Sequence, residues 1–424
     1  MEKQYPAISR MAARIRERFT GTDARIAEVF ENCIGDTLSR TVKRLEDGSV
    51  YVITGDIPAM WLRDSACQMM PFIRFAGEEP EILEMLVKLA ETQTRCILID
   101  PYANAFNLPG EKSIWMSDRT AMREEVWERK YEIDSLCHPV SLAWTLWKRT
   151  GTTRHFTPAW KEAMKRIIET FRTEQHHEER SHYRFRRADC VYTDTLSREG
   201  RGALVNSGIG LIWSGFRRSD DACVYGYFIP GNMFAAVSLE RIGEIAGAVY
   251  GDMELAKEAR DFSAQLRAAI AEYAIPPRVD KPYYAYEVDG FGQYLTMDDA
   301  NMPSLLALPM LGWCGPDDTL YRNTREVILS QRNPYFFEGS RMKGIGSPHT
   351  PANYVWDIAL AVQGLTSIDL HEKYACIRMM ADNDGGAGMM HEGVHVDDPS
   401  VYTRPWFSWA NAMFCEAVMD YCGF

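Results

Sequence analysis

The feature that most constrains this chain is an alternation between two kinds of helical segment. Segments beginning near residues 23, 80, 158, 252, 318 and 369 carry apolar residues on one stripe and charge on the opposite face. In the one opened by Thr157-Pro158, Trp160, Met164, Ile167, Ile168 and Phe171 share a stripe, with Lys161, Glu162 and Lys165 opposite. Between them lie segments beginning near 63, 134, 232, 300, 351 and 405 that are apolar nearly all round. A helix with a charged face lies against solvent, whereas one without a polar face must be buried. Strict alternation of the two predicts an all-α fold, an (α/α)6 barrel: six hairpins closing into an inner and an outer ring, with long loops and a few short strands. Closed architectures of this kind use several hundred residues for one unit, so residues 1–424 read as a single domain.

Local signals fill in the frame. Asp23, Asp317 and Asp369 stand where helix caps belong, and Pro80 where a first helical residue belongs. The alternating, β-branched 49–54 reads as a short strand or hairpin arm, while 101–130 and 176–230 read as loop. Each all-apolar segment follows a loop rich in Asp, Glu, Arg and aromatics. In a toroid those loops gather at one end, which brings Asp64, Asp134, Asp220, Asp298, His349, Glu392 and Arg404 around one pocket. The densest of them is Trp61-Leu62-Arg63-Asp64. Asp134 and Asp298 have a plainer reading as helix caps, and His349, before Thr350-Pro351, as a donor to a loop carbonyl.

Composition narrows the chemistry. A net charge of -12 without a basic run excludes nucleic acid and anionic membrane as partners. No run approaches the ~18 apolar residues that a membrane helix needs. The start, Met-Glu-Lys-Gln-Tyr-Pro, lacks the form of a secretory signal. Ten cysteines without a Cys-x-x-Cys pair suit reduced core thiols, Cys137 and Cys223 among them, and a cytoplasmic protein. His391, Glu392, His395 and Asp397 do not form a zinc spacing, and there is no phosphate-cradling glycine loop, so neither metal nor organic cofactor is expected. A pocket of carboxylates and aromatics suits glycoside hydrolysis, which needs one protonated carboxyl and one ionised one. Lyases, epimerases and isoprenoid enzymes on similar toroids remain open, as does a carbohydrate-binding protein without catalysis.

Four stretches resemble the motifs of glycoside hydrolase family 125: Asp56-Ile57-Pro58-Ala59-Met60-Trp61-Leu62-Arg63-Asp64-Ser65; Glu128-Arg129-Lys130-Tyr131-Glu132-Ile133-Asp134-Ser135-Leu136-Cys137; Ser214-Gly215-Phe216-Arg217 with Ser219-Asp220-Asp221-Ala222; and Met390-His391-Glu392. The resemblance runs from about residue 50 to the C-terminus. It implies a metal-independent, inverting exo-α-1,6-mannosidase on an (α/α)6 barrel, acting on a mannose-containing oligosaccharide. Another exo-glycosidase specificity, such as α-glucosidase, is the alternative. The resemblance further implies Asp220 as general acid, with Asp221 as alternate, and Glu392 as general base. Trp61, Arg63, Asp64, Asp134 and His349 would bind the terminal sugar. The Asp220-Asp221 doublet is expected to help keep one member protonated by mutual repulsion. Arg217-Arg218 stands where the family pattern has Arg then Pro, an extra charge expected to bear on an outer subsite.

Overall fold

The computed structural model describes residues 5–424. Its helices form the two rings of an (α/α)6 toroid. The outer helices are Ala24–Asp36, Pro80–Ile99, Pro158–Glu174, Met253–Tyr273, Thr319–Ile328 and Leu370–Asp382. Five inner helices alternate with them: Leu62–Met69, Ile133–Thr150, Ile229–Ala248, Asp357–Leu365 and Ser408–Tyr421. Burial separates the rings as the alternation predicts. Every residue of Leu62–Met69 is buried, whereas in Leu370–Asp382 only Cys376, Ile377, Met380 and Ala381 are. Around the inner ring Leu62–Met69 packs on Ile133–Thr150, which packs on Ile229–Ala248; Asp357–Leu365 packs on Ser408–Tyr421, which returns to Leu62–Met69.

The remaining inner position departs from the sequence expectation. A helix was expected from residue 300 to 311, but only Leu308–Leu311 is helical, and the chain before it runs in turns. Pro303 and Pro309 explain this: a proline inside a helix removes a hydrogen bond and crowds the preceding turn. Burial alone could not reveal it, because Ala300, Met302, Leu305, Leu306 and Ala307 are core residues whether coiled or not. The next inner helix begins at Asp357 rather than 351, because Tyr354–Trp356 forms a strand with Gly393–His395.

Strands also occur where loop was expected. Ala59–Trp61 pairs with Ala105–Asn107, which pairs with Val126–Glu128, so the Trp61 stretch enters its helix from a strand. Val50–Val52 forms the expected hairpin arm, against Val42–Arg44. Of the predicted caps, Asp369 accepts the His371 amide, and Thr157, which opens its helix, accepts that of Trp160. At the 319–328 helix the cap is Asp318 rather than Asp317. Asp23 holds the cap position but turns its carboxylate to Tyr374 and Arg378 on the neighbouring outer helix. A helix missed in the sequence, Pro6–Arg18, packs on Ala24–Asp36. All ten cysteines are free thiols, and no described helix is long and apolar enough to cross a membrane.

Candidate active site

The loops that precede the inner helices do converge. They enclose a cavity of about 240 Å³ bordered by Thr54, Trp61, Arg63, Asp64, Arg218, Asp220, Asn301, His349, Glu392 and Arg404 and by the aromatic faces of Trp356, Phe407 and Trp409. Sites for drug-sized ligands span roughly 300–1,000 Å³, so this one suits a single ring. Three bordering residues carry buried polar atoms without a partner, Trp61 Nε1, Asn301 Oδ1 and Trp409 Nε1, while Arg63 Nε and Asp64 Oδ1 lack a hydrogen bond but face each other at 3.4 Å. Buried polar groups are normally paired. Orphans of both donor and acceptor type around one cavity are what a polyhydroxylated ring would satisfy.

Asp220 is set by a tight turn. Its amide donates to the Arg217 carbonyl (2.9 Å), and the Arg217 amide donates to that of Asp221 (2.7 Å). The turn places Asp220 at φ +65°, a left-handed conformation that Asp tolerates better than most residues. Lys130 Nζ donates to the Asp220 carbonyl (2.8 Å), and Asn104 Nδ2 to its carboxylate (3.1 Å). Asp221, on the other arm, does not border the cavity; its carboxylate faces His349 Nδ1 (3.5 Å) and Ser219 Oγ (3.3 Å). Burial raises the Asp220 carboxyl, but Arg63, Lys130, a hydrogen bond shared with the Glu132 carboxyl, and His349 outweigh it and hold it below the usual carboxylate range. The doublet therefore does not keep Asp220 protonated, because nearby cations dominate over its neighbour. Arg218 also differs from expectation. It is fully buried, with Nε on the Asn301 carbonyl (2.7 Å) and Nη2 on that of Asp299 (2.6 Å), so it ties the turn to the broken inner segment.

Glu392 borders the cavity from the residue just before the strand Gly393–His395. The His391 amide donates to the buried Asp357 carboxylate (2.8 Å), and the Glu392 amide to the Thr403 carbonyl (3.3 Å). Burial raises the Glu392 carboxyl, while His349 and Arg404 (Nη1 at 3.9 Å) draw it back. Arg404, at φ +47°, also clasps Asp56 with its Nε at 3.0 Å from Oδ1. Gly55 makes this possible: it lies at φ +136°, and a Cβ there would sit 2.4 Å from the Trp406 carbonyl oxygen. Strain stored at both Asp220 and Arg404 is typical of functional positions. For His349, burial disfavours the cation, yet Asp221, Glu392 and Asp220 overcome this and raise its pKa to about 9.

Beneath the cavity lies a buried ionic cluster. Arg63 reaches four carboxylates: Glu132 (2.6 Å), Asp64 (3.4 Å), Asp134 (3.5 Å) and Asp220 (3.5 Å). Burial raises Asp134 to about 6. Neither Asp134 nor Asp298 borders the cavity. Asp134 lies under Arg63 and caps nothing, and Asp298 does not cap the expected helix, which does not form: it accepts the amides of Leu305 and Leu306 (3.0 and 2.9 Å) in the turns before Leu308–Leu311, whose N-cap is Ala307. Thr54 was missed in the sequence; its Oγ1 donates to Asp64 Oδ2 (2.6 Å). Glu132 was missed as well, although the density of charge in 128–134 running into a buried helix was a signal that those charges must find partners. Among the described residues no group of three or more His, Cys, Asp or Glu could hold a metal ion.

A solved Streptococcus pneumoniae structure, described as a metal-independent alpha mannosidase in a non-productive substrate complex with alpha-1,6-mannobiose, superposes with a TM-score of 0.95 at 44% identity, covering 98% of each chain. The Schizosaccharomyces pombe meiotically up-regulated gene 157 protein is 38% identical over 94% of this chain and 82% of its own. A bacterial glucoamylase complexed with acarbose, at 15% identity, a TM-score of 0.56 and coverage of 86% of this chain and 49% of its own, shares the fold alone. Residues 23–419 match the metal-independent alpha-mannosidases of GH125, and this chain belongs to that family.

Proposed function

We propose that this enzyme removes terminal α-1,6-linked mannose from an oligosaccharide, with inversion and without a metal, and that the whole chain is one catalytic domain in the cytoplasm. One observation carries the reading: a cavity sized for a single ring is bordered by Asp220, Glu392, the aromatic faces of Trp356, Phe407 and Trp409, and the unpaired Trp61 Nε1, Asn301 Oδ1 and Trp409 Nε1. The similar S. pneumoniae protein supports the linkage, since it was seen with alpha-1,6-mannobiose. Ten free cysteines support the reducing compartment.

In the mechanism Asp220 protonates the glycosidic oxygen as the bond from C1 breaks. Glu392 takes a proton from the water that attacks C1 from the opposite face. An inverting pair of this kind stands about 6.5–9.5 Å apart, leaving space for that water. Burial raises Glu392, which strengthens it as a base. Trp61, Arg63, Asp64 and His349 surround the sugar, and Asp134 acts on it through Arg63.

One observation favours the reverse assignment: Asp220 is lowered and Glu392 raised in the ligand-free protein. Leaving-group dependence separates the two. An acid is dispensable for an activated aryl α-mannoside but not for α-1,6-mannobiose. Asp220→Asn should spare the aryl substrate, and Glu392→Gln should lose about 10²–10⁴-fold on both. The opposite pattern exchanges the roles. NMR of the first-formed mannose anomer tests inversion, and silence of the wild type on all α-mannosides overturns the function.

A further inference from the structure

Asp220 must carry a proton to act as an acid, yet its surroundings hold it ionised. The source of that proton is legible in the cluster below it. One guanidinium, Arg63, serves four buried or half-buried carboxyls. Lys130 and His349 also offset Asp220, Arg404 offsets Asp64 and Arg218 offsets Asp134, but the cation facing Glu132 is Arg63, which it shares with the other three, so a buried carboxyl at this position is driven to keep a proton at neutral pH. Glu132 is placed to keep one that Asp220 can use, since its carboxyl lies against that of Asp220. It is 1% exposed; its Oε2 accepts from Arg63 Nη1 (2.6 Å) and Ser135 Oγ (2.8 Å), while Oε1 is buried without a partner. Arg63 touches Asp220 with its other terminal nitrogen. The same guanidinium therefore holds the two carboxyls together.

Resting on the reading of Asp220 as the acid, we propose that Glu132 is its positioning and proton-holding partner, so that the two carboxyls share one proton that reaches the glycosidic oxygen through Asp220. The balance is complete. The proton on Glu132 Oε1 passes to Asp220 and from there to the leaving oxygen as the C1–O bond breaks. Water adds to C1 and gives a proton to Glu392, which releases it to solvent, and the Glu132–Asp220 pair takes one back from solvent. The groups facing Glu132, which stands just before Ile133–Thr150, are Arg63 on Leu62–Met69, Asp134 and Ser135 in the first turn of that helix, Asp220 on the turn, and the Cys223 thiol beyond it. Arg63 is the only cation among them, and Lys130 acts on the Asp220 side. Burial raises Glu132 well above the ordinary range, with Arg63 opposing and Asp220 and Asp134 adding to the rise, which agrees with a protonated partner.

The test is Glu132→Gln, which keeps the shape and removes the shared proton. Expected are a loss in kcat of about 10²-fold on α-1,6-mannobiose with KM little changed, a shift of the alkaline limb of the pH profile, and less than about 5-fold loss on an activated aryl α-mannoside. Equal losses on both substrates, or an unmoved alkaline limb, overturn the proposal. Asp220→Asn is measured beside it. If that variant lacks the leaving-group dependence, the assignment of the acid itself fails; if it shows the dependence and Glu132→Gln does not, only the partnership fails. Should Glu132→Gln not fold, Glu132→Asp replaces it, with a smaller loss of the same leaving-group dependence expected and an equal loss on both substrates overturning the idea.

Discussion

Replacing Arg63 by Met should destabilise the protein in a way that depends on pH. The side chain is 4% exposed and is the cation shared by Glu132, Asp64, Asp134 and Asp220. Removing one partner of a buried ion pair costs about 3–5 kcal/mol. The alternative open to the mutant is that a stranded carboxylate takes up a proton. Against a reference pKa near 4, that costs about 4 kcal/mol at pH 7 and about 1.4 kcal/mol at pH 5, at about 1.36 kcal/mol per unit. Both routes give a loss of about 4 kcal/mol at neutral pH, and the second predicts that more than half of it is recovered on acidification. The sign follows from the charge: protonation removes the uncompensated negative charge that only the folded state buries. Denaturant midpoints read by tryptophan fluorescence at pH 7 and pH 5, for wild type and variant, measure the difference. A loss that is the same at both pH values, or below about 1 kcal/mol at pH 7, refutes the picture of Arg63 as the cation on which the buried carboxyls depend.

Three further outcomes are expected. His349 has a folded pKa of about 9 against an ordinary 6.5, so its pairing with Asp221 stabilises fully below about pH 6.5 and fades as pH rises through 9; the melting-temperature gap between wild type and His349→Gln should be widest at pH 6 and close by pH 10. Gly55→Ala should push the Trp406 carbonyl away, displace Arg404 from Glu392 and lower kcat/KM at least tenfold, and a variant of wild-type activity would show that the Gly55–Phe407 bridge does not position the site. Mannose release should be the same before and after dialysis against a chelator, as befits a family that works without metal; a loss restored by a divalent ion would contradict it.

Much of the architecture was legible because burial leaves a periodic mark. Leu62–Met69 and Ile229–Ala248 are enclosed by other helices, so no face of either needs charge, and the contrast with Met253–Tyr273 is visible in the residues themselves. The gathering of Asp64, Asp220, His349, Glu392 and Arg404 followed from that alternation and from loop position. The resemblance then supplied roles that spacing could not. The failures have local causes. The inner segment at 300–311 is as apolar as its neighbours, but its prolines break the helix. Ala59–Trp61 is too short to show a period, and its partner strand lies more than forty residues on.

What the sequence by itself determined is therefore the class of fold and the end of the barrel where chemistry happens, since both depend on which surfaces are buried. Only the tertiary structure decided which carboxyl of each candidate group faces the sugar and in what charge state. Asp220 and Asp221 are neighbours of the same type, yet a left-handed turn sends one into the cavity and the other to His349. Glu132 and Asp220 are 88 positions apart in the chain and meet through Arg63. Ionisation depends on Coulomb interactions that decay with distance through space and on exclusion of water, and neither quantity is written along a chain.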